Sequence, residues 1–353
     1  MSYSGKKREQ VNITWIDEAL LEKAFKDVRK SRLHHCPNAS IWDVSLHWSE
    51  IKQRLLKNIH LGHYQLSPCV SYFKDGEWRS YWDAQDAVVL KALYYLLQEK
   101  MNIPNCHHLK GHGGIHGSIK ALHQAKPHYQ KVFKSDIDSY YASINHQILL
   151  NQLKSYSQCP IIMDLFKQYM KRVEIKNGNY YSFEQGIPKG CSLSPLMSAI
   201  YLAPLDNQLK TFGFYRRYMD DWIVLVKTRA QLRKVIKITH HVLKSLKLRM
   251  HPKKTFIGCI DKGFAFLGIQ WNKNPEIAKQ STEKHQVKLA LRYAQNASLK
   301  SIGDYLRRWN LWCCSILKCC MDELHNNKNL PCNANQGEHH DKHKEAGNSI
   351  IAI

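Results

Sequence analysis

No stretch of this 353-residue chain reaches the ~18 consecutive apolar residues that a membrane span needs. Its first twelve residues, MSYSGKKREQVN, hold no apolar run of the signal-peptide kind. Both absences lead to the expectation of a cytoplasmic protein with no membrane partner. Acid is scarce: 29 Asp and Glu face 52 Lys and Arg, for a formal net charge of +23. A surplus of that size, spread along the chain, argues for a broad face toward a polyanion rather than a tethered basic tail, with nucleic acid the first candidate. Framework cysteines are missing as well. Eleven Cys is an odd number without regular spacing, which excludes a disulfide scaffold and implies reduced thiols. Cys313, Cys314, Cys319 and Cys320 form CC-x4-CC without zinc-knuckle spacing. They sit in NLWCCSILKCCMDEL, where buried thiols acting as small hydrophobes are the expectation. Internal repeats are absent too.

Aromatics are plentiful. With 9 Trp, 18 Tyr, 10 Phe and 44% hydrophobic residues, the chain can fill a sizeable core, in one large domain or two or three smaller ones. Residues 13–60 read as helical, with one helix over ITWIDEALLEKAFKDVRKS and another from Ser45 to Ile59. CVSYF and WRSYW alternate around the turn signal KDGE and read as a hairpin, followed by a helix from Asp83 to Leu97. HHLKGHGGIHGS is a Gly/His-rich loop. KVFKSD is a short strand, Ile161 to Arg172 a helix, and YYSFEQGIPKGCSLSP a loop opening a long apolar helix. FYRRYMDDWIVLV gives two strands and a turn, Arg229 to Leu246 an amphipathic helix, FAFLGIQW one strand, and 285–324 a basic helical region. From Asn326 the composition reads as a disordered tail. The class is α+β.

In a chain so poor in acid, Asp220 and Asp221 stand side by side at a turn between two apolar strands. Such a turn places both carboxylates on a rigid platform with little solvent, a costly position for like charges without a cation. Mg²⁺ is the natural partner of such hard oxygen ligands, and two ions ~3.5–4 Å apart serve phosphoryl transfer. Taken alone, an Asp-Asp turn equally describes a solvated hairpin tip. A third carboxylate, Asp136, ends the KVFKS run, with Tyr141 five residues on, and QGIPKGCSLSP lies between the two acidic blocks.

These three blocks, Asp136–Ile144, Gln185–Pro195 and Tyr218–Asp221, resemble in content and order the palm motifs of reverse transcriptases. The resemblance spans about residues 60–270. It implies a right-hand polymerase: a helical extension over 1–60, fingers over 61–130, a palm over 131–275 with an insertion at 150–185, a helical thumb over 276–325 and a tail over 326–353. It implies RNA-directed DNA synthesis, with dNTPs added to a primer 3′-hydroxyl by two Mg²⁺ ions, Mn²⁺ being able to substitute, held by Asp136, Asp220 and Asp221. Tyr141 would lie under the incoming sugar and exclude a 2′-hydroxyl. Gln185 and Gly186 would line the nucleotide and template side, with Gly186 and Gly190 letting backbone approach the duplex, and Tyr218 and Met219 would touch the primer end. LRMHPKKTFIG resembles the next motif, with Lys254, ahead of Lys253, as general acid toward pyrophosphate. Two solvated lysines would look the same in sequence. Arg79 would grip the triphosphate, although the proline that follows the family's arginine is missing. Lys110 and His112 stand at a template-facing loop, and Leu267 and Gly268 at the primer grip. Trp309 and Trp312 suit either a thumb helix on the duplex or an ordinary core.

No stretch resembles an RNase H, integrase, protease or zinc endonuclease domain. The length falls short of an intron maturase with DNA-binding extensions. The retron VTG triplet is absent, and the second block ends in SP rather than the SQ of diversity-generating enzymes. The chain looks like a solitary bacterial reverse transcriptase, defence-associated or group II intron-like; those of phage-defence systems commonly act with a structured non-coding RNA. Tyr141 and Y-x-DD separate the chain from RNA-dependent RNA polymerases. Template-independent or protein-primed synthesis, and a non-catalytic RNA scaffold, remain the competing classes. A homo-oligomer or an accessory protein is compatible with all of them.

Overall fold

A computed structural model describes residues 15–321, apart from 75 and 102. The tail expected from 326 onward, and the first fourteen residues, lie outside the described residues. Three helices open the fold: α1 (Glu18–Ser31), α2 (Ser40–Leu46) and α3 (Trp48–His60). Asp17 starts α1 by accepting the N–H of Leu20 at 2.7 Å, a side-chain cap for an otherwise unpaired donor. The single helix expected from Ser45 to Ile59 is instead two, broken at His47, whose backbone leaves the helical region.

Two β-hairpins form the first sheet. β1 (Cys69–Lys74) and β2 (Glu77–Tyr81) pair antiparallel, and β4 (Val173–Lys176) and β5 (Asn179–Ser182) do the same, with β1 parallel to β4, giving the order β2-β1-β4-β5. The second hairpin lies where a loop was expected. Its turn, Asn177-Gly178, has φ +51° and +79°, the left-handed pair that a tight hairpin turn favours. Buried Glu174 ties the two hairpins together: it accepts from Ser71 at 2.5 Å, Ser80 at 2.8 Å and Arg172 at 2.5 Å.

Between the hairpins run α4 (Ala84–Gln98), capped by Asp83, and α5 (Gly114–Ala125); then β3 (Lys131–Ser135), α6 (Tyr140–Ser143), α7 (His146–Leu153) and α8 (Pro160–Met170). After β5 come α9 (Ser194–Leu209), β6 (Phe214–Tyr218), β7 (Asp221–Val226), α10 (Arg229–Ser245) and β8 (Phe256–Cys259). The second sheet has the order β6-β7-β3-β8 and is antiparallel throughout. It is buried on both faces, so WIVLV reads as an unbroken apolar run while its side chains alternate between two cores. Trp222, Val224 and Val226 join the large core that includes residues of α9 and α10, and Ile223 and Leu225 join a smaller one with Ile119, Phe264, Trp271 and Ile316.

The segment FAFLGIQW is not one strand. It folds into β9 (Phe264–Phe266) and β10 (Ile269–Trp271) around Leu267 and Gly268, both at positive φ, and β11 (Glu276–Ile277) adds to β10. Two helices close the described chain, α11 (Lys279–Ala294) and α12 (Leu299–Met321). Trp309 stacks on His285 of α11 at 4.2 Å and on Trp312 at 5.0 Å, so the two tryptophans of α12 pack against α11 and the Gly268 turn. Of the four cysteines of α12, Cys320 alone is buried, while Cys314 is exposed and Cys313 and Cys319 are half-buried. The expectation of four core thiols therefore holds for one of them, because a helix turns adjacent residues to different faces.

Candidate active site

Asp136 immediately follows β3, and Asp221 opens β7. β3 and β7 are neighbouring strands, with Ser135 opposite Trp222, so pairing brings carboxylates 85 residues apart to one sheet end. Asp220 occupies the two-residue β6–β7 turn, where Tyr218 pairs with Asp221. Asp220 lies close enough to Asp136 that the two carboxylates act on each other electrostatically. Lys254 reaches the same place because the His251 N–H donates to the Asp136 carbonyl at 2.8 Å, and its ammonium forms an ion pair with the Asp136 carboxylate.

The electrostatics match this crowding. Burial, then the Asp136 charge, pushes the Asp220 pKa up to about 7. Burial likewise pushes Asp221 up to about 7, against the pull of Lys134. Burial works against the charge of Lys254, but Asp136, Asp220 and Asp221 together hold its pKa above the usual lysine value. One oxygen of Asp136 and one of Asp221 are buried without a hydrogen-bond partner. Unpaired buried carboxylate oxygens are costly, and they are the donor set a hard divalent cation selects. Among the described residues, no three His, Cys, Asp or Glu side chains form a ready-made cage; the cation inside the cluster in this arrangement is Lys254. Lys134 was missed in the sequence. Its signal is its place two residues before Asp136, on the same strand face.

The acidic turn is held from behind. Met219, its first residue, has φ +57°, unusual for a non-glycine residue. Its N–H donates to His108 Nδ1 at 3.0 Å and its carbonyl accepts from Arg217 Nη1 at 2.8 Å. Arg217 is fully buried and makes a two-pronged pair with Asp206 of α9, at 2.7 and 2.5 Å; Tyr215 donates to the same carboxylate at 2.6 Å. Residues 105–107 run along the edge of β6, exchanging backbone hydrogen bonds with Arg217. The Gly/His loop thus closes a sheet edge, and His108 is a functional-site neighbour that its composition alone did not single out.

Residues 74–271, more than half the chain, match the family model described as "Reverse transcriptase (RNA-dependent DNA polymerase)". The chain belongs to the reverse transcriptase family. Among curated proteins, "Protein YkfC" of Escherichia coli (strain K12) is 28% identical over 173 residues, covering 39% of this chain and 45% of that protein. The "Putative COX1/OXI3 intron 2 protein" of Saccharomyces cerevisiae is 30% identical over 96 residues, covering 26% of this chain and 11% of that protein. The chain thus spans less than half the length of either relative. Its reverse transcriptase family generally uses divalent metals.

In this reverse transcriptase chain the other expected residues fall at two places. Tyr141, Gln185 and Gly186 line one 510 Å³ cleft together with Trp78, Lys176 and Lys189 of the first sheet and its neighbouring loop. Burial raises the Tyr141 pKa to about 12, and the charge of Asp220 adds to the shift, so the ring that lines the cleft also feels the carboxylates. Arg79 lies half-buried on β2 and forms no ion pair among the described residues. The glycines approach protein, not open space. A Cβ on Gly186, at φ +83°, would stand 3.0 Å from Ala142 backbone atoms. One on Gly190, at φ +99°, would stand 2.9 Å from the Ser80 carbonyl. Gly186 thus packs closely on α6 and Gly190 on β2. Lys110 is exposed and His112 half-buried at the Gly/His loop. No helix of the described residues is long and apolar enough to cross a membrane.

Proposed function

We propose that this chain is an RNA-directed DNA polymerase. The observation that carries the reading is the convergence of Asp136, Asp220 and Asp221 at one sheet end, with unpaired buried oxygens on two of them. These three side chains would hold two Mg²⁺ ions, or Mn²⁺. When bound, such ions activate an attacking hydroxyl and stabilise a leaving oxygen in phosphoryl transfer. Tyr141, at the inner wall of the cleft, is assigned to the sugar of the incoming dNTP, where its ring excludes a 2′-hydroxyl. Gln185 and Gly186 line the nucleotide and template side. Arg79 is assigned to the triphosphate, since a guanidinium without an ion-pair partner is free to fork onto phosphate oxygens. Lys254, kept protonated by the carboxylates around it, is assigned to proton delivery to the departing pyrophosphate.

In this reading the first sheet and α4 are fingers (61–130, with 150–185), the second sheet with α9 and α10 is the palm (131–275), α11 and α12 are the thumb (276–325), and α1–α3 are an extension (1–60). The charge of +23 suits a structured non-coding RNA as template partner. The setting we assign is cytoplasmic phage defence, on the likeness to solitary bacterial enzymes. The test is incubation of the chain with dNTPs, Mg²⁺ and a primed RNA template. Labelled DNA formed by wild type and absent with Asp220→Ala is the expected result. Equal product from both, or none from wild type on any primed RNA, overturns the reading.

A further inference from the structure

The run Val28–His35, VRKSRLHH, ends α1 with three basic side chains and two histidines. It precedes the part of the chain that matches the family model. Arg29, Lys30, His34 and His35 are exposed, but Arg32 turns inward and is only 9% exposed. Its Nη2 donates to the Trp82 carbonyl at 2.9 Å and its guanidinium lies over the Tyr81 ring at 4.5 Å. Its Nη1 is buried with no hydrogen-bond partner. A buried guanidinium nitrogen without an acceptor is an energetic defect unless something supplies an oxygen.

That side chain lines a 220 Å³ cavity formed by α1, the β2 side of the first sheet and the loop Gly190–Ser192. The loop leads directly into α9, a 16-residue helix, so the lining residues Gly190–Ser192 immediately precede the positive end of a helix dipole. Ser192 is the exposed residue of that lining loop and Tyr72, 40% exposed, is a second wall. The Asp83 carboxylate, whose charge acts on Arg32, caps α4 by accepting the Gln85 N–H. A buried guanidinium nitrogen without an acceptor, the nearby start of α9 and an aromatic wall, with His35 as the other basic side chain in the lining, are the elements of a groove for a single-stranded polynucleotide, whose phosphates want cations and whose bases stack on aromatic rings.

We propose that this cavity binds a phosphodiester of a single-stranded RNA, with Arg32 as the embedded phosphate ligand and Tyr72 beside it as a stacking surface. The site is separate from the carboxylate cluster. It rests on the polymerase reading only for the identity of the strand, which would run over the outer side of the same loop whose Gln185–Lys189 half lines the inner cleft. The exposed Tyr72 wall favours a strand that carries bases over a single free phosphate.

The test measures binding of a labelled single-stranded RNA to the full chain by fluorescence anisotropy, in EDTA, across a salt series. Arg32→Gln is expected to weaken binding about tenfold and to lower the slope of log affinity against log salt by about one. Ser192→Asp, which puts an acid at the mouth without disturbing the buried contacts of Arg32, is expected to weaken binding similarly and keeps the test decisive should Arg32→Gln melt early. Wild-type affinity and slope in Ser192→Asp and in a folded Arg32→Gln overturn the proposal. So does stabilisation of wild type, but not Arg32→Gln, by millimolar inorganic phosphate with RNA affinity unchanged, which would make this a free-phosphate site. A wild type that makes DNA while neither variant loses RNA affinity removes the site and leaves the polymerase reading standing. A chain inert toward dNTPs whose RNA affinity falls in both variants does the reverse.

Discussion

His108 accepts the backbone N–H of Met219 on Nδ1 at 3.0 Å, and its Nε2 lies 2.9 Å from the Pro195 carbonyl. Only the neutral ring with hydrogen on Nε2 serves both bonds. One histidine thus joins the Gly/His loop, the start of α9 and the acidic turn. It holds a non-glycine residue at positive φ beside two carboxylates, a placement that persists only when its surroundings enforce it.

The first prediction follows from that ring. Burial, ahead of the opposing Pro195 bond, pushes its pKa down to about 4. A histidine depressed in the folded state stays neutral while the unfolded chain takes up a proton, so its stabilisation is complete above the unfolded pKa of ~6.5 and is lost as pH falls toward 4. His108→Gln keeps hydrogen-bonding capacity but does not titrate. It should be less stable than wild type by about 1–3 kcal/mol at pH 8, with the gap closing below pH 6. Thermal melts of both proteins across pH 8 to 4.5 check this. Neighbouring Cys106, His112, Asp206 and Arg217 are common to both and cancel in the difference. A gap that is flat with pH counts against the assignment.

A second prediction concerns Asp206 and Arg217, a buried pair with no solvent to replace a lost partner. Breaking such a pair from one side costs about 3–5 kcal/mol. Asp206→Ala is expected to unfold at much lower urea than wild type, because it strands the guanidinium and the Tyr215 hydroxyl together. Arg217→Met, which leaves Asp206 with Tyr215, should be milder in stability yet should loosen the Met219 turn. Urea titrations with a primer-extension assay on the same samples separate the two effects.

Much of this was legible in the residues, and the failures have physical causes. The carboxylate convergence was readable because three motifs in order resemble the palm blocks of reverse transcriptases. WIVLV was readable as a strand because a sheet buried on both faces needs an unbroken apolar run. The β4–β5 hairpin escaped although Asn177-Gly178 is a strong turn signal, since its strands are short and NYYS is exposed throughout, leaving no alternation to see. FAFLGIQW looked like one strand because its turn has a leucine, Leu267, at positive φ, where sequence preference expects glycine or asparagine. The brace of Arg217, Asp206 and His108 was invisible for a different reason. Buried polar networks pair residues distant in sequence, and nothing local in RRY or HHL announces a partner.

The third prediction tests the loop beneath Tyr141. Gly186 sits at φ +83°, where a Cβ would meet the backbone of Tyr141 and Ala142 at 3.0–3.1 Å, inside van der Waals contact, and the Ile187 N–H donates to the Tyr141 carbonyl at 2.9 Å. Gly186→Ala adds strain of about 1–3 kcal/mol at that φ and pushes against α6. It is expected to lower melting temperature modestly and dNTP incorporation severely. Wild-type incorporation would show that α6 yields without consequence.

A fourth prediction addresses product chemistry. If Tyr141 lies under the sugar, Tyr141→Ala should admit ribonucleotides, raising their incorporation relative to deoxynucleotides by one to two orders of magnitude. Tyr141→Phe should leave selectivity near wild type, because ring bulk and not the hydroxyl does the excluding. Parallel single-nucleotide extension with dNTP and rNTP measures both. Equal discrimination in Tyr141→Ala and wild type assigns the ring to packing alone.

The carboxylates themselves give the sharpest contrast between stability and activity. Asp136, Asp220 and Asp221 crowd negative charge into a half-buried space, with Lys254 and Lys134 as the nearby cations. Without divalent ions this crowding works against folding. Asp220→Asn removes one charge while keeping shape, so in EDTA it should melt about 1–2 °C higher than wild type, the shift expected for about 1 kcal/mol in a chain of this size. Adding Mg²⁺ should raise the wild-type melting temperature by linkage and the variant's much less, and DNA synthesis by the variant should be undetectable. A variant that melts lower in EDTA, yet gains as much as wild type from Mg²⁺, would mean that Asp220 neither suffers from its neighbours nor holds the ion.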